Sequence, residues 1–88
     1  MKIILIGFLK KEINKEIIEI KLNKPMKLVE VLNKNIPKLS KLIFNEFNKL
    51  SSSFIFLKNG VSIEIMNDNE IILNDEDTLT IIPVSHGG

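Results

Sequence analysis

The groups with most chemical potential stand at the end of the chain, "TLTIIPVSHGG". Gly87 and Gly88 lack a Cβ, so they can thread a narrow channel and take backbone angles barred to other residues. The group they present is the Gly88 carboxylate. A carboxylate is a poor electrophile and must first become an acyl donor, which an acyl-adenylate made with ATP achieves. That step needs the carboxylate brought to a bound nucleotide in a water-poor site, which only another protein could supply here. A terminal Gly-Gly arises by chance in roughly 0.5% of chains. The pair therefore takes its meaning from what precedes it: an apolar strand and then Pro83.

Few other residues compete. There is no Cys, so a thiol nucleophile, a disulfide framework and a thiolate metal site are excluded within the chain. Any sulfur chemistry must use sulfur delivered from elsewhere. The single His, His86, is too little for a His-based metal site. It reads as a solvated tail residue, with a contact to an activating enzyme as the functional alternative. "NDNE" and "NDED" lack the ligand spacing and central glycine of a calcium loop and read as solvated acidic turns. No metal or cofactor is expected on the chain itself. All basic residues are Lys, and the net charge is only +1. Without Arg forks or a basic excess, no nucleic-acid or membrane partner is expected. No segment approaches the ~20 apolar residues of a membrane span. The opening run is too short for a secretion signal, so the expected location is the cytoplasm.

The elements that would carry this tail are legible as periods. With 88 residues, the chain is read as a single domain, residues 1–88, with a flexible tail from 83 to 88. "IILI" is a β-branched-rich run, of the kind found in strands buried on both faces. "KKEINK" reads as a polar connection. In "EIIEIKL", Ile18, Ile20 and Leu22 alternate with charges, giving a half-buried strand paired with the first as a hairpin. From Pro25 the period becomes helical: Leu28, Leu32 and Ile36 lie at i, i+4 and i+8, with Val29 flanking. Pro37 ends this helix or starts the next, and a shorter helix continues through Leu39, Leu42, Ile43, Phe47 and Leu50 until "SSS". Phe44 and Phe47 are expected in the core. "FIFLKNGVSIEI" is a hairpin around Asn59-Gly60, in which Val61, Ile63 and Ile65 alternate with polar residues. After a polar loop, "TLTIIP" is the last strand, ended by Pro83, which has no N–H for a ladder.

First and last strands both look doubly buried, so they are expected side by side at the sheet centre. The fold class is α+β. It is a mixed sheet of about five strands, with one main helix and a short second helix on one face, in the β-grasp or ubiquitin-like arrangement.

At this point the chain resembles the MoaD/ThiS family of sulfur carriers. "IILIGFLKKE" is similar to the family's first strand and the Leu-Arg-Glu-like stretch after it, with Leu9, Lys10 and Lys11 in that stretch. "FLKNG" is similar to its hairpin. "ILNDEDTLTIIPVSHGG" resembles its ending, in which a "DGD"-like turn leads through a strand into "PPV", one residue and "GG". Glu76 stands where that turn has glycine, and Val84 stands where the ending has a second proline. The length and helical insert fit best the small subunit of molybdopterin synthase. The resemblance implies that a ThiF/MoeB-like activating enzyme adenylates Gly88 with ATP and that sulfur transfer then leaves a C-terminal thiocarboxylate. The chain would not be catalytic alone. It would join the large subunit of molybdopterin synthase in a hetero-oligomer, with the large subunit supplying pterin pocket and catalytic groups. Phe8, Ile82, Pro83, Val84, Ser85 and His86 would meet the partners, and Gly87 and Gly88 would enter the active sites. "HGG" also resembles the ending of ubiquitin-related modifiers that act in tRNA thiolation and protein conjugation. A thiazole-pathway carrier is a third reading.

Overall fold

Two apolar runs from opposite ends of the chain meet side by side. In the computed structural model, which describes residues 1–45, 47, 49–63 and 71–84, strand β1 (Lys2–Leu5) lies parallel to β7 (Thr78–Pro83). Ile3 stands opposite Leu79, and Leu5 opposite Ile81. The chain between them makes α1 (Phe8–Ile13), β2 (Ile17–Glu19), β3 (Met26–Lys27), α2 (Leu28–Asn35), α3 (Pro37–Ile43), β4 (Phe54–Lys58), β5 (Val61–Ser62) and β6 (Ile72–Leu73). The main sheet runs β2-β1-β7-β4-β5, with β1–β7 parallel and its other pairs antiparallel. This is the expected mixed five-stranded sheet with β1 and β7 adjacent.

Alternation along each strand builds the core. Ile3, Leu5, Ile18, Phe54, Phe56, Leu79 and Ile81 point to one face of the sheet and are buried. They pack with Leu9 of α1, with Leu28, Val31 and Leu32 of α2, and with Leu39 and Ile43 of α3. The helices therefore share one face of the sheet. The intervening residues Ile4, Leu57, Thr80 and Ile82 are only half-buried, and Ile55 and Ile17 are exposed. The expectation of strands buried on both faces is thus corrected. The apolar continuity of "IILI" and "TLTII" comes from one covered face and one open face that is itself apolar.

Four further readings change. "FLKKEI" is helix α1, not a polar connection. Leu9 and Ile13 lie one turn apart and pack on the core while the lysines face solvent. Asn14 closes the helix in the left-handed region at φ 63°. The main helix starts at Leu28, not near Pro25, because Met26 and Lys27 pair with Leu73 and Ile72 in a small second sheet. The second helix stops at Ile43 and does not reach Leu50. The Asn45 side-chain oxygen accepts from the amides of Phe47 (2.8 Å) and Lys49 (3.0 Å), and this turn competes successfully with helix. Phe44 packs on the core, but Phe47 is 73% exposed. Finally, β5 is two residues long and Val61 is exposed, although Ile63 does pack on the core. Ile65 and "NDNE" lie outside the described residues.

The Asn59-Gly60 hairpin forms as read. Both residues take positive φ, 52° and 83°, which matches the twist of the flanking strands. It is tied to the start of β7 by Asp77, 7% exposed. Asp77 Oδ1 accepts from Asn59 Nδ2 (2.9 Å), Asp77 Oδ2 accepts from the Asn74 amide (2.7 Å), and Lys58 Nζ lies 3.7 Å away. Asn59 in turn accepts the Thr78 amide on its Oδ1 (2.8 Å). "NDED" is therefore no merely solvated turn. Asp75 and Glu76 are exposed, but Asp77 is a structural acid. The turn closes through Asp77 N–H to Asn74 O (3.0 Å), with Glu76 outside the positive-φ region. No glycine is needed there.

The Asn59 amide, then the Asn74 backbone N–H, hold the Asp77 carboxyl below its ordinary value of 3.8. A carboxyl lowered on folding stabilises the fold above its unfolded value, and that contribution is lost as pH falls through the folded value. Asp77→Ala should cost about 1–3 kcal/mol by urea unfolding at neutral pH. The stability gap between wild type and Asp77→Asn should narrow below about pH 4. A gap that widens in acid would contradict this role.

Candidate functional site at the end of strand β7

The sheet ends differently on the two sides of Pro83. Toward β1, the Ile6 amide donates to Ile81 O (3.2 Å). The next bond of a parallel ladder would run from the amide of residue 83 to Ile6 O, and proline has no hydrogen to give. Toward β4, pairing continues. Pro83 stands opposite Phe54, and the Val84 amide donates to Ser53 O at 2.8 Å. Pro83 thus ends one ladder but not the other. Val84, standing where the family ending has a second proline, keeps the N–H that makes the last described bond of this ladder.

Gly7 braces this end. Its backbone sits at φ 63° and ψ −136°, a region open essentially to glycine. A Cβ placed there would meet Pro83 Cγ at 3.4 Å and Cδ at 3.6 Å. The Gly7 carbonyl accepts the Lys10 amide (3.2 Å), so the same residue opens α1. Phe8 follows at the first helical position, 49% exposed, with its ring 6.0 Å from that of Phe54. Phe54 contacts Phe56 in turn at 6.5 Å, which links the exposed ring to the core.

The structure brings Phe8, Ile82, Pro83 and Val84 to one end of the sheet but not onto one face. Phe8 stands on the helix side against Phe54. Ile82 alternates with buried Ile81 and faces the open side. Ser85, His86, Gly87 and Gly88 lie outside the described residues.

Reading the sequence for a tail-side patch missed the open face. By strand register, Ile82 lies between Ile6 and Ile55, which are exposed by 39% and 41%. The next row toward the start of β7 is Ile17, Ile4, Thr80 and Leu57. The row beyond holds Glu19, Lys2 and Thr78. The face is apolar beside the tail and turns polar away from it. Period-2 alternation of Ile4, Ile55 and Ile82 with buried neighbours was the available signal.

Some charges near this end form exposed ion pairs. Lys10 Nζ lies 3.6 Å from Glu16, and Lys38 Nζ 3.8 Å from Glu12. Such pairs contribute little to stability. A shallow hollow of about 340 Å³ lies among Gly7, Lys10, Lys11, Asn14, Lys15 and Glu16. The carboxyls held below their ordinary range, Asp75 and Asp77, sit at the opposite end of β7, the former mainly through the Leu22 amide. Among the described residues no group of three His, Cys, Asp or Glu side chains is arranged to hold a metal ion. No described helix is long and apolar enough to cross a membrane. What the described residues at this end offer is apolar contact and a firmly paired Pro83-Val84 just before the diglycine tail of the sequence.

That arrangement has close relatives. The family model Urm1 (Ubiquitin related modifier) matches residues 5–88, from the end of β1 through the diglycine. The chain belongs to the Urm1 family. It is 36% identical to Urm1 from Sulfolobus solfataricus, whose crystal structure superposes with a TM-score of 0.69 over 96% of this chain and 100% of that one. Two crystal structures from Haloferax volcanii share the fold at lower identity. SAMP1 matches at 18% identity and TM-score 0.78 over 100% of this chain and 98% of its own. Small archaeal modifier protein 1 matches at 16% and 0.71 over 97% of each. No curated protein sequence matches significantly. The chain is a ubiquitin-like β-grasp protein of the MoaD/ThiS-like sulfur-carrier group.

In this Urm1-family chain, Gly7→Ala should destabilise by about 1–3 kcal/mol in urea unfolding, since Ala is strained at this φ and its methyl meets the Pro83 ring. A neutral substitution would show that Gly7 is not held in this conformation.

Proposed function

We propose that this protein is a carrier activated at its C-terminus. The Gly88 carboxylate oxygen attacks the α-phosphorus of ATP on a ThiF/MoeB-like enzyme, pyrophosphate leaves, and an acyl-adenylate forms. Hydrosulfide (HS⁻) then attacks the Gly88 carbonyl carbon, AMP leaves as the C–O bond to it breaks, a proton is released, and the carrier holds a terminal thiocarboxylate. The observation that carries this reading is the family match running through Gly87-Gly88 behind a strand paired on both sides. The chain's residues anchor, aim and dock the tail. The chemistry belongs to the enzyme, its ATP and the delivered sulfur.

The destination we favour is that of a ubiquitin-related modifier, with sulfur passed on to a thiolation reaction or the activated glycine joined to a lysine amine. The family match supports this branch. A second reading, the small subunit of molybdopterin synthase working with its large subunit, keeps support from the "IIPV" ending. In both, the open face around Ile6, Ile55 and Ile82 is the docking surface, because it is apolar, open among the described residues and beside the start of the tail.

Incubation with a cognate activating enzyme, ATP and a sulfur source should replace one oxygen by sulfur in the intact mass, and deletion of Gly88 should abolish the change. An unchanged mass with a competent enzyme would overturn the carrier reading. Covalent adducts on denaturing gels that require Gly88 would favour the modifier branch, whereas stable assembly with a molybdopterin synthase large subunit would favour the second. Ile55→Lys should leave the fold intact and raise the KM for the carrier about tenfold or more. An unchanged KM would remove the open face from the interface.

A further inference from the structure

One pair of residues away from the tail carries chemistry that needs no partner protein. Asn59 is the only asparagine of the sequence followed by glycine. Glycine leaves its amide nitrogen unhindered, so in such a pair this nitrogen can attack the preceding side-chain amide. The Gly60 nitrogen bonds to Asn59 Cγ and gives up its proton, Nδ2 leaves as ammonia, and a succinimide ring closes. Water then opens the ring at either carbonyl. One opening leaves aspartate. The other leaves isoaspartate, with Cβ of residue 59 drawn into the main chain.

The fold holds Asn59 against that reaction. Its backbone N–H donates to Thr78 O (2.8 Å), its Oδ1 accepts the Thr78 amide (2.8 Å), and its Nδ2 donates to Asp77 Oδ1 (2.9 Å). Both polar atoms of the side chain are thus directed at the start of β7. The atom that must leave is the one Asp77 grips, and Asp77 is itself buried and bonded to the Asn74 amide. Swinging Cγ onto the Gly60 nitrogen means breaking both side-chain bonds.

We infer that Asn59-Gly60 is a deamidation site closed by the tie to Asp77, and that deamidation, once it occurs, stops the tie from re-forming. The product replaces Nδ2, a donor, by an oxygen. Two carboxylates then face each other where a 2.9 Å hydrogen bond stood, beside the buried Asp77. Lys58 Nζ, 3.7 Å from Asp77 Oδ2, can balance only one of them. Isoaspartate does further damage. It adds a main-chain atom to a two-residue turn, so the Lys58–Val61 pairing that closes the turn loses its register. Asp77 O also accepts the Lys2 amide, so the loss reaches β1. A chain that has lingered with this hairpin open is marked by it irreversibly.

The test keeps wild-type protein at mildly alkaline pH, folded or in guanidinium chloride, and follows conversion by intact mass and peptide fragmentation. Residue 59 should convert at least about tenfold more slowly in the folded protein, as the breaking of two hydrogen bonds requires. Under native conditions Asp77→Ala should convert about threefold or more faster than wild type. Ile13→Ala, which loses core packing on α1 and leaves the tie intact, should stay within about twofold of wild type. Protein converted while unfolded should fail to refold or should unfold at lower guanidinium than wild type, and Asn59→Asp should do the same. Equal rates folded and unfolded, Asp77→Ala no faster than wild type, Ile13→Ala as fast as Asp77→Ala, or converted protein as stable as wild type overturns the inference.

Discussion

The structure depends on the pairing of β7 on both edges. Its parallel partner β1 comes from the start of the chain and its antiparallel partner β4 from the second half. A strand gripped on both edges has nearly all its backbone groups satisfied, so it opens only with the whole sheet. Everything between the termini serves this arrangement. Parallel neighbours need a crossover, and the helices supply it while burying one face of the sheet. The other face is apolar beside Pro83, turns polar toward the start of β7, and is open among the described residues.

The two ends of β7 are chemically opposite. At its start, Asp77 joins the hairpin at Asn59 to the turn at Asn74. The backbone of that residue also accepts the Lys2 amide at 3.0 Å, so β1 is held at the same point. At its end, polar groups give way to Gly7, Phe8, Phe54, Pro83 and the open-face isoleucines. One end resists fraying; the other provides contact area and a point of departure.

Much of the sheet was legible because it follows from simple rules. Continuous apolar runs marked β1 and β7, period-2 alternation marked β2, and Asn-Gly marked the hairpin of β4 and β5. Pro83 and the diglycine marked the exit, and the family resemblance followed from them. What escaped depended on competition or on tertiary pairing. Phe47 fell off a helical stripe because the Asn45 side chain captured two amides. Helix α1 was hidden in a lysine-rich stretch whose core-facing signal was only Leu9 and Ile13. Met26–Lys27 and Ile72–Leu73 are strands only because they meet each other. Asp77 looked like one acid among several until folding buried it. Continuous apolar runs suggested burial on both faces, whereas Ile4, Ile55 and Ile82 lie on a face this chain leaves open. Val84 was read as a departure from the family ending, but its amide bond to Ser53 became visible only in the fold.

The central claim is that chemistry happens at the Gly88 carbonyl while the sheet that anchors it stays unchanged. Carbon-13 NMR on carrier labelled at that carbonyl, with activating enzyme, ATP and a sulfur source, tests it directly. The account predicts that the carboxylate resonance is replaced by a thiocarboxylate resonance while the amide signals of β1, β4 and β7 stay in place. ATP consumed with the Gly88 carbonyl unchanged, or a sheet that rearranges as the signal moves, would contradict it.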